Sequence, residues 1–259
     1  MRIVLGIEYD GAGYSGWQLQ HGTRTVQGEV EAALAQVADH PLRVSCAGRT
    51  DTGVHALQQV VHFDSDAVRS ERSWVLGGNA NLADEISIRW AQSIDDGFHA
   101  RFSAIARSYR YVIYNAFARP ALLRKQVCWR HGPLDEQRMN QACEHLLGEH
   151  DFTSYRALAC QASHAVRTIE HLSVSRKGEY VYIDIRANAF LYHMVRNIAG
   201  VLISIGQGEQ STSWSAELLA ARDRSVGGVT ARAAGLYFLS AHYPERYKLP
   251  AAPEAPFFS

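Results

Sequence analysis

The spacing of apolar residues in the first half of the chain predicts strands that alternate with helices. Residues 3–9 form an apolar run of strand length, whereas apolar side chains over Val26–Ala38 recur at helical intervals behind a candidate N-cap, Thr25. Two further apolar runs, at residues 41–46 and 57–63, predict a strand on each side of a glycine-containing loop. These elements place that loop at the rim of a sheet.

The pattern then continues through a predicted helix at residues 71–79 and a predicted strand at residues 86–91. The resulting order is strand, helix, strand, strand, helix, strand. This order is the split βαβ arrangement of ferredoxin-like α+β units. The first half therefore predicts an antiparallel sheet backed by two helices.

The second half loosely repeats this order of elements, without a repeat in the sequence itself. The predicted elements are a helix at 135–147, strands at 166–175 and 180–187, helices at 192–205 and 213–222, and a strand at 236–243. Residues 101–115 read as a strand between the halves. We predict an α+β fold of two ferredoxin-like, RNP-like halves, whose antiparallel sheets meet at a central cleft. The domains are placed at residues 1–104 and 105–243, followed by a proline-rich tail at 244–259.

The overall composition is that of a folded globular protein. Hydrophobic residues make up 47% of the 259-residue chain and charged residues 20%, unlike the composition of disordered chains. The amino terminus lacks the apolar core of a signal peptide, and no apolar run approaches the roughly 20 residues that span a bilayer. The four cysteines have no Cys-x-x-Cys spacing, so they fit reduced thiols better than disulfides or a zinc site. We therefore expect a cytoplasmic protein.

Charge is balanced over the whole chain but unevenly distributed along it. The chain has 26 basic and 26 acidic residues, so net charge alone gives no argument for a nucleic-acid partner. Residues 97–134, however, contain no Asp or Glu. They interleave aromatic residues with the basic residues Arg101, Arg107, Arg110, Arg119, Arg124, Lys125 and Arg130. Such a stretch suits a polyanion whose bases can stack. The alternative is a strand with an aromatic core face and a solvated basic face.

The loop at residues 47–56, with the sequence AGRTDTGVHA, is the most informative segment of the chain. Gly48 and Gly53 bracket Asp51, and glycine permits both positive φ angles and close approach of another backbone. A loop of this kind presents a carboxylate at the edge of a sheet. The alternative is a tight turn that an Arg–Asp pair stiffens, since Gly and Asp are common turn residues.

Other reactive constellations are disfavoured. Gly53 argues against a helix that would place Asp51 and His55 on one face, so a His–Asp dyad is a weak hypothesis. The sequence has no nucleophile-elbow serine, no glycine-rich phosphate loop and no His-x-x-x-His or Glu-x-x-His pair, so we expect no metal site. A lone carboxylate fits a reaction in which Asp51 itself attacks an electrophilic carbon.

These residues resemble the motifs of the tRNA pseudouridine synthases of the TruA type. Residues 47–56 resemble the catalytic loop of that family, in which the aspartate is the nucleophile. Three further segments resemble the family in the same order: GIEYDG with GWQ at 6–11 and 16–18, FHARFS with RSYRY at 98–103 and 107–111, and NAFLYHMVRN with AGL at 188–197 and 234–236. One departure is Thr52, where the family often has alanine.

The resemblance implies roles for individual catalytic residues. Asp51 would be the nucleophile, and Arg196 would pair with it and hold it ionised. Tyr109 would pack on the target uracil and is the candidate for taking the C5 proton in the last step. The resemblance leaves open whether Asp51 attacks C1′ or C6, or abstracts the C2′ proton.

The remaining site residues are expected to bind the RNA. By resemblance, Arg49 would contact the RNA near the extruded nucleotide, and Leu236 would line the base pocket. Arg101 and Arg107, from the basic stretch, are candidate backbone contacts.

The resemblance also implies the reaction and the partners. The enzyme would isomerise uridine to pseudouridine at positions 38, 39 and 40 of the anticodon stem-loop of tRNA, without metal or redox cofactor. A homodimer is implied, with tRNA lying across both subunits. Two alternatives remain: a catalytically silent RNA-binding module, which the presence of Asp51, Tyr109 and Arg196 disfavours, and a synthase that modifies other tRNA uridines.

Overall fold

The computed structural model describes residues 1–160, 162–254 and 258, and over these residues the chain has a mixed α+β fold with mostly antiparallel strands. The chain divides into two compact units, one of Met1–Ala106 with Tyr237–Ala255 and the other of Arg107–Leu236 with Pro256–Ser259. The domains placed from the sequence assigned the last strand to the second half. In the structure this strand belongs to the first unit from Tyr237 onward.

The first unit is built on an antiparallel sheet. Its elements in chain order are β1 (Arg2–Tyr9), α1 (Val26–Ala38), β2 (Ser45–Cys46), β3 (His55–Asp64), α2 (Glu71–Asn81) and β4 (Ile86–Ile94). The strands lie in the order β4-β1-β3-β2 with antiparallel pairing throughout. The last strand of the chain, Leu236–His242, adds to β3 in parallel, with Tyr237 opposite His55. Helix α1 packs on α2, and α2 packs on β4.

Local signals explain where these elements begin and end. The predicted helix over Val26–Ala38 is confirmed at both ends, and its N-cap Thr25 accepts a hydrogen bond from the backbone N–H of Gly28. The strand predicted at residues 41–46 is wrong except for Ser45–Cys46. The backbone N–H of Val44 donates to the side chain of Glu31 on α1 at 3.0 Å, so it is not available to the sheet.

The long strands of the second unit also pair antiparallel. Its elements are β5 (Ala106–Asn115), β6 (Cys128–Arg130), α3 (Glu136–Glu144), β7 (Gly148–Asp151), β8 (Val166–Lys177), β9 (Tyr180–Ala187), α4 (Met194–Gly206) and α5 (Trp214–Ala221). The strands lie in the order β5-β9-β8-β7, and β6 pairs with β5 in parallel. We number the last strand of the chain, Leu236–His242, β10.

The strand predicted at residues 101–115 begins five residues late, at Ala106. The imidazole of His99 accepts hydrogen bonds from the backbone N–H groups of Arg101 and Phe102, and the N–H of Ser103 donates to the His99 carbonyl. These bonds close a turn and keep residues 101–103 out of the ladder.

Helix α4 is the most deeply buried helix of the second unit. Its sequence is apolar except for a few positions, and Arg196 is its single charged residue. The helix begins at Met194, two residues later than predicted, because His193 before it has a left-handed φ of 61°. No helix among the described residues combines the length and apolar character needed to cross a membrane.

A buried histidine of the first unit, His62, lies on the strand that follows the Asp51 loop. His62 on β3 has its ring 4.5 Å from that of His99, and its Nδ1 accepts a hydrogen bond from the N–H of Ala100. Burial, followed by the nearby His99 and Arg2, lowers the pKa of His62 to about 4. Folding therefore holds this imidazole neutral.

We predict that the first unit loses stability in mild acid through His62. The ordinary pKa of histidine is 6.5, so the unfolded chain takes up a proton between about pH 6.5 and pH 4 that the folded chain does not. The free energy of unfolding should fall as the pH drops through this window, by up to about 3 kcal/mol. His62→Asn keeps an acceptor for Ala100 and removes the titration. Melting temperatures from pH 7.5 to 4.5 should therefore fall less in the variant, and equal falls would contradict the assignment.

Candidate active site

Asp51 lies in the first unit, on the loop that joins β2 to β3. Its carbonyl oxygen accepts a hydrogen bond from the N–H of Val54 at 3.1 Å, and this bond closes a turn. Gly53 within the turn has a φ of 78°, which a residue with a side chain rarely adopts. Asp51 is half-buried and its neighbour Arg49 is exposed. The turn thus fixes the backbone of Asp51 while leaving part of its surface open.

Two glycines let the β1–α1 connection pack directly on this loop. A Cβ on Gly11 would overlap the carbonyl oxygen of Val54, and a Cβ on Gly16 would lie 2.8 Å from the carbonyl oxygen of Thr50. Next to Gly16, the N–H of Trp17 donates to the same Thr50 oxygen at 3.0 Å. The two loops are therefore in backbone contact on both sides of Asp51. This contact explains why residues 11 and 16, in the motif at 6–11 and 16–18, are glycines.

Two buried side chains hold the residues that precede Asp51. The amide of Gln59 accepts a hydrogen bond from the N–H of Gly48 at 3.4 Å and donates to its carbonyl at 2.5 Å. The hydroxyls of Tyr9 and Thr50 are hydrogen-bonded at 2.7 Å. The role of Gln59 was not predicted from the sequence. The feature that could have indicated it is a polar amide within the apolar run at residues 57–63.

Cys46, on the strand that precedes this loop, is held in its neutral form. Burial raises the pKa of the Cys46 thiol to about 12, although nearby Arg49 acts in the opposite direction. A thiolate is the reactive form of cysteine, and it is scarcely populated at neutral pH with such a pKa. Asp51 therefore remains the candidate nucleophile of this loop.

His55, at the start of β3, has buried structural contacts. Its Nδ1 accepts a hydrogen bond from the N–H of Gly11 at 3.2 Å and lies 3.0 Å from a carboxylate oxygen of Asp10. Its ring stacks on that of Tyr237, with centroids 4.8 Å apart. These contacts anchor the β1–α1 connection to β3.

Tyr109 and Arg107 lie in the second unit, near the start of β5. Tyr109 is buried, and the ring of Phe190 meets its ring edge-on with centroids 5.0 Å apart. Arg107 donates from Nη1 to the carbonyl of Asn188 at 3.0 Å. Both side chains thus contact the segment that follows β9.

Arg196 and Leu236 are associated with one segment of the second unit. The Nε of Arg196 donates to the carbonyl of Ala231 at 2.8 Å, and the N–H of Ala231 donates back to the carbonyl of Arg196. Leu236 is buried five residues further along the chain. Between them, the carbonyl of Arg232 accepts a hydrogen bond from the hydroxyl of Tyr111 at 2.8 Å.

The basic stretch contains side chains of two kinds. Arg101 is exposed, and its guanidinium lies 5.5 Å from the centre of the Phe102 ring, which is itself 74% exposed. Arg110 instead donates to both carboxylate oxygens of Asp184 at 2.7 Å and is buried. Within the basic stretch, the charge of Arg110 is therefore used in an internal ion pair, as in the alternative interpretation of a structural strand.

The candidate residues are thus divided between the units. The first unit holds Arg49, Asp51 and Arg101, and the second holds Arg107, Tyr109, Arg196 and Leu236. Within the first unit the geometry brings Arg49 and Asp51 onto one rigid loop. Within the second, a single segment lies next to Arg196 and leads to Leu236.

Comparison with known proteins gives a consistent family. The sequence model of a family described as tRNA pseudouridine synthase matches residues 6–103 and 142–244. Asp51, Arg196 and Leu236 lie inside these segments, whereas Arg107 and Tyr109 lie in the interval between them.

Curated relatives extend the similarity over nearly the whole chain. A protein of Nitrosococcus oceani is 57% identical over 250 residues, covering 96% of each chain. A protein of Coxiella burnetii is 54% identical over 257 residues (99% of this chain and 98% of the relative), and one of Aeromonas hydrophila is 55% identical over 258 residues (100% and 96%). All three are named tRNA pseudouridine synthase A. A solved structure, of a Cbf5-Nop10-Gar1 complex, has a TM-score of 0.35 and 12% identity over 77% of this chain and 54% of its own, too low to support an argument.

We predict that Gly16→Ala disturbs the Asp51 loop, whereas Gly22→Ala does not. Both glycines have positive φ angles, 83° and 74°, so both variants carry a similar backbone strain of about 1 kcal/mol. Only at Gly16 would the new methyl group meet the backbone of Thr50 and Asp51, since nothing lies within 4 Å of it at Gly22. Hydrogen exchange at residues 48–54 should be faster in Gly16→Ala alone. Equal exchange in the two variants would mean that the close approach does not hold the loop.

Proposed function

The chain belongs to the family of tRNA pseudouridine synthases, and from this premise we propose that it modifies the anticodon stem-loop of tRNA at positions 38, 39 and 40. The enzyme is an isomerase that converts uridine in tRNA to pseudouridine. The observation that supports the proposed site best is the rigid loop that carries Asp51, within the matched part of the chain.

The reaction breaks the N1–C1′ bond of uridine, turns the uracil and joins its C5 to C1′, with loss of the C5 proton to solvent and gain of one on N1. Reactant and product have the same atoms and oxidation state, so the chemistry requires no redox or metal cofactor. It does require a base to detach and reattach in a defined position. A fixed carboxylate satisfies this requirement, because an attacking group that is already oriented avoids an entropic cost.

We propose Asp51 as the nucleophile. Its loop is held by backbone contacts from Gly16 and Trp17 and by the side chain of Gln59, which is the preorganisation that such an attack needs. The target nucleotide has to leave its stack to reach a half-buried carboxylate, as in other enzymes that act on a base. Exposed Arg49, two residues before Asp51, is proposed to contact the RNA beside the extruded nucleotide.

Tyr109, Arg196 and Leu236 are proposed to serve the same reaction. The ring of Tyr109, oriented by Phe190, would stack on the uracil, and its hydroxyl is the candidate acceptor of the C5 proton. Arg196 would pair with Asp51 and favour its charged form, since a guanidinium stays protonated throughout the physiological range. Leu236 would form an apolar wall for the base.

We also propose that the two units are related ferredoxin-like halves. The first unit places three of its strands in the order β1-β3-β2. When the short strands β6 and β7 are set aside, the second unit places β5, β8 and β9 in the corresponding order β5-β9-β8. Counting along the chain, in each unit a helix lies between the first two of these strands, and another follows the third. The family resemblance further supports a cytoplasmic homodimer that binds tRNA across both subunits.

Asp51→Asn keeps the side-chain shape and removes the charge. Loss of a covalent nucleophile removes the main reaction path, so pseudouridine formation in an anticodon stem-loop transcript should fall by several orders of magnitude. Melting temperature and tRNA affinity should remain close to those of the original protein. Asp66→Asn, at an exposed position of the same unit, is the matched control and should retain full activity.

Substantial turnover by folded Asp51→Asn protein would show that this carboxylate only stiffens its turn, since asparagine is an acceptable turn residue. Mapping pseudouridine in tRNA from a strain that lacks the protein tests the proposed positions separately. Loss at positions other than 38, 39 and 40 would overturn the specificity but leave the role of Asp51 intact.

Arg101 and Arg107 are proposed to contact the RNA backbone. Each phosphate contact adds to the dependence of binding on salt, so Arg101→Ala or Arg107→Ala should weaken tRNA binding and reduce the slope of log Kd against log salt by about one. Arg72→Ala, exposed on α2, is the control and should leave the slope unchanged. If neither candidate variant changed the slope relative to this control, both arginines would be structural.

A further inference from the structure

Arg196 is held by a segment of the second unit that has no role in the proposed chemistry. Residues 227–232, here called the strap, run alongside α4. Two hydrogen bonds join Ala231 of the strap to Arg196: the Nε of Arg196 donates to the carbonyl of Ala231, and the N–H of Ala231 donates to the carbonyl of Arg196. A Cβ on Gly200, one turn further along the helix, would overlap the carbonyl oxygen of Val229, so the strap and the helix are in direct backbone contact.

The strap is tied to α4 by a buried asparagine that directly follows Arg196. Asn197 is 2% exposed, and its amide donates to the carbonyl of Tyr155 at 2.7 Å. Its Oδ1 accepts hydrogen bonds from the hydroxyl of Thr230 at 2.6 Å and from Nη2 of Arg224 at 3.1 Å. Both lone pairs of this oxygen therefore accept hydrogen bonds, one from Thr230 of the strap and one from Arg224, which precedes the strap.

Arg224 forms further hydrogen bonds to two residues of the strap. Its guanidinium donates to the carbonyl of Gly228 from both terminal nitrogens, at 3.1 and 3.0 Å, and to the hydroxyl of Thr230 at 3.2 Å. A planar guanidinium that makes several bonds at fixed angles defines the position of its acceptors more closely than a single bond does. Thr230 is thereby held by two partners, and Ala231 is the next residue.

We propose that Asn197, Arg224 and Thr230 are positioning residues that aim the guanidinium of Arg196 through the carbonyl of Ala231. This inference rests on the proposed role of Arg196. Because the guanidinium is rigid and planar, a hydrogen bond on its Nε sets the directions of both terminal nitrogens. A displacement of about 1 Å in such a group can cost on the order of 10²-fold in rate. A network that fixes one carbonyl therefore acts on catalysis without touching the substrate.

The alternative is that the network only stabilises the second unit. Thr230→Val removes one hydroxyl at nearly constant volume, whereas Thr230→Ser keeps it. If the network positions Arg196, Thr230→Val should lower kcat about tenfold and change tRNA affinity by less than twofold, and Thr230→Ser should stay within twofold of the original kcat. Asn140→Ala removes two hydrogen bonds between α3 and β8 in the same unit. It should lower the melting temperature without lowering kcat.

The decisive measurement repeats Thr230→Val in the Arg196→Ala background by single-turnover assay with saturating enzyme. With the arginine absent, the loss of the hydroxyl should have no further effect on the rate, because it acts through that side chain. An equal tenfold loss in both backgrounds, or loss only of melting temperature, would overturn the positioning role. Normal turnover by Arg196→Ala alone would instead overturn the proposed role of Arg196, so the two failures can be told apart.

Discussion

The first unit depends on one contact, the packing of the β1–α1 connection against the loop of Asp51. Pairing of β1 with β3 brings the end of one strand beside the start of the other, and both loops leave the sheet at that point. Gly11 and Gly16 then allow backbone to meet backbone, with no side chains between them. Because main-chain atoms have fewer rotational freedoms than side chains, this contact fixes the backbone of Asp51 more closely than contacts between flexible side chains would.

In the second unit, side-chain hydrogen bonds hold the segment that contacts the charged residue. Arg196 stands on a helix buried in apolar surroundings, where a long flexible side chain would otherwise lose considerable entropy to reach one orientation. The carbonyl of Ala231 restricts it, and buried Asn197 holds the strap that carries this carbonyl. In both units, a glycine brings another segment into backbone contact beside the charged residue, and a buried amide, Gln59 or Asn197, forms a hydrogen bond to one of the segments.

Much of this arrangement could be predicted from sequence, and the parts that could not have physical reasons. Helix α1 was predicted with its cap because apolar period and capping residue agree. Strands β6 and β7 were missed, since three or four residues, such as the polar GEHD of β7, show no alternation. The ion pair of Arg110 was not predicted because its partner Asp184 is distant in sequence, and only the pairing of β5 with β9 brings them opposite each other. The supporting roles of Gln59 and Asn197 were not predicted either, because their hydrogen-bond partners Gly48 and Thr230 are distant in sequence.

The one departure from the family pattern follows from this division between chemistry and support. Thr52 is exposed, so the hydroxyl that distinguishes it from alanine faces solvent and requires no partner in the interior. Its neighbours on the loop are constrained differently: Thr50 is bonded to Tyr9 and Trp17, and Gly53 has a φ that alanine tolerates poorly. Position 52 is therefore a place on this loop where a side chain can change without moving the backbone of Asp51. The candidate functional residues are few, and the choice of amino acid around Asp51 is restricted at the positions, such as Thr50 and Gly53, that hold the loop backbone in place.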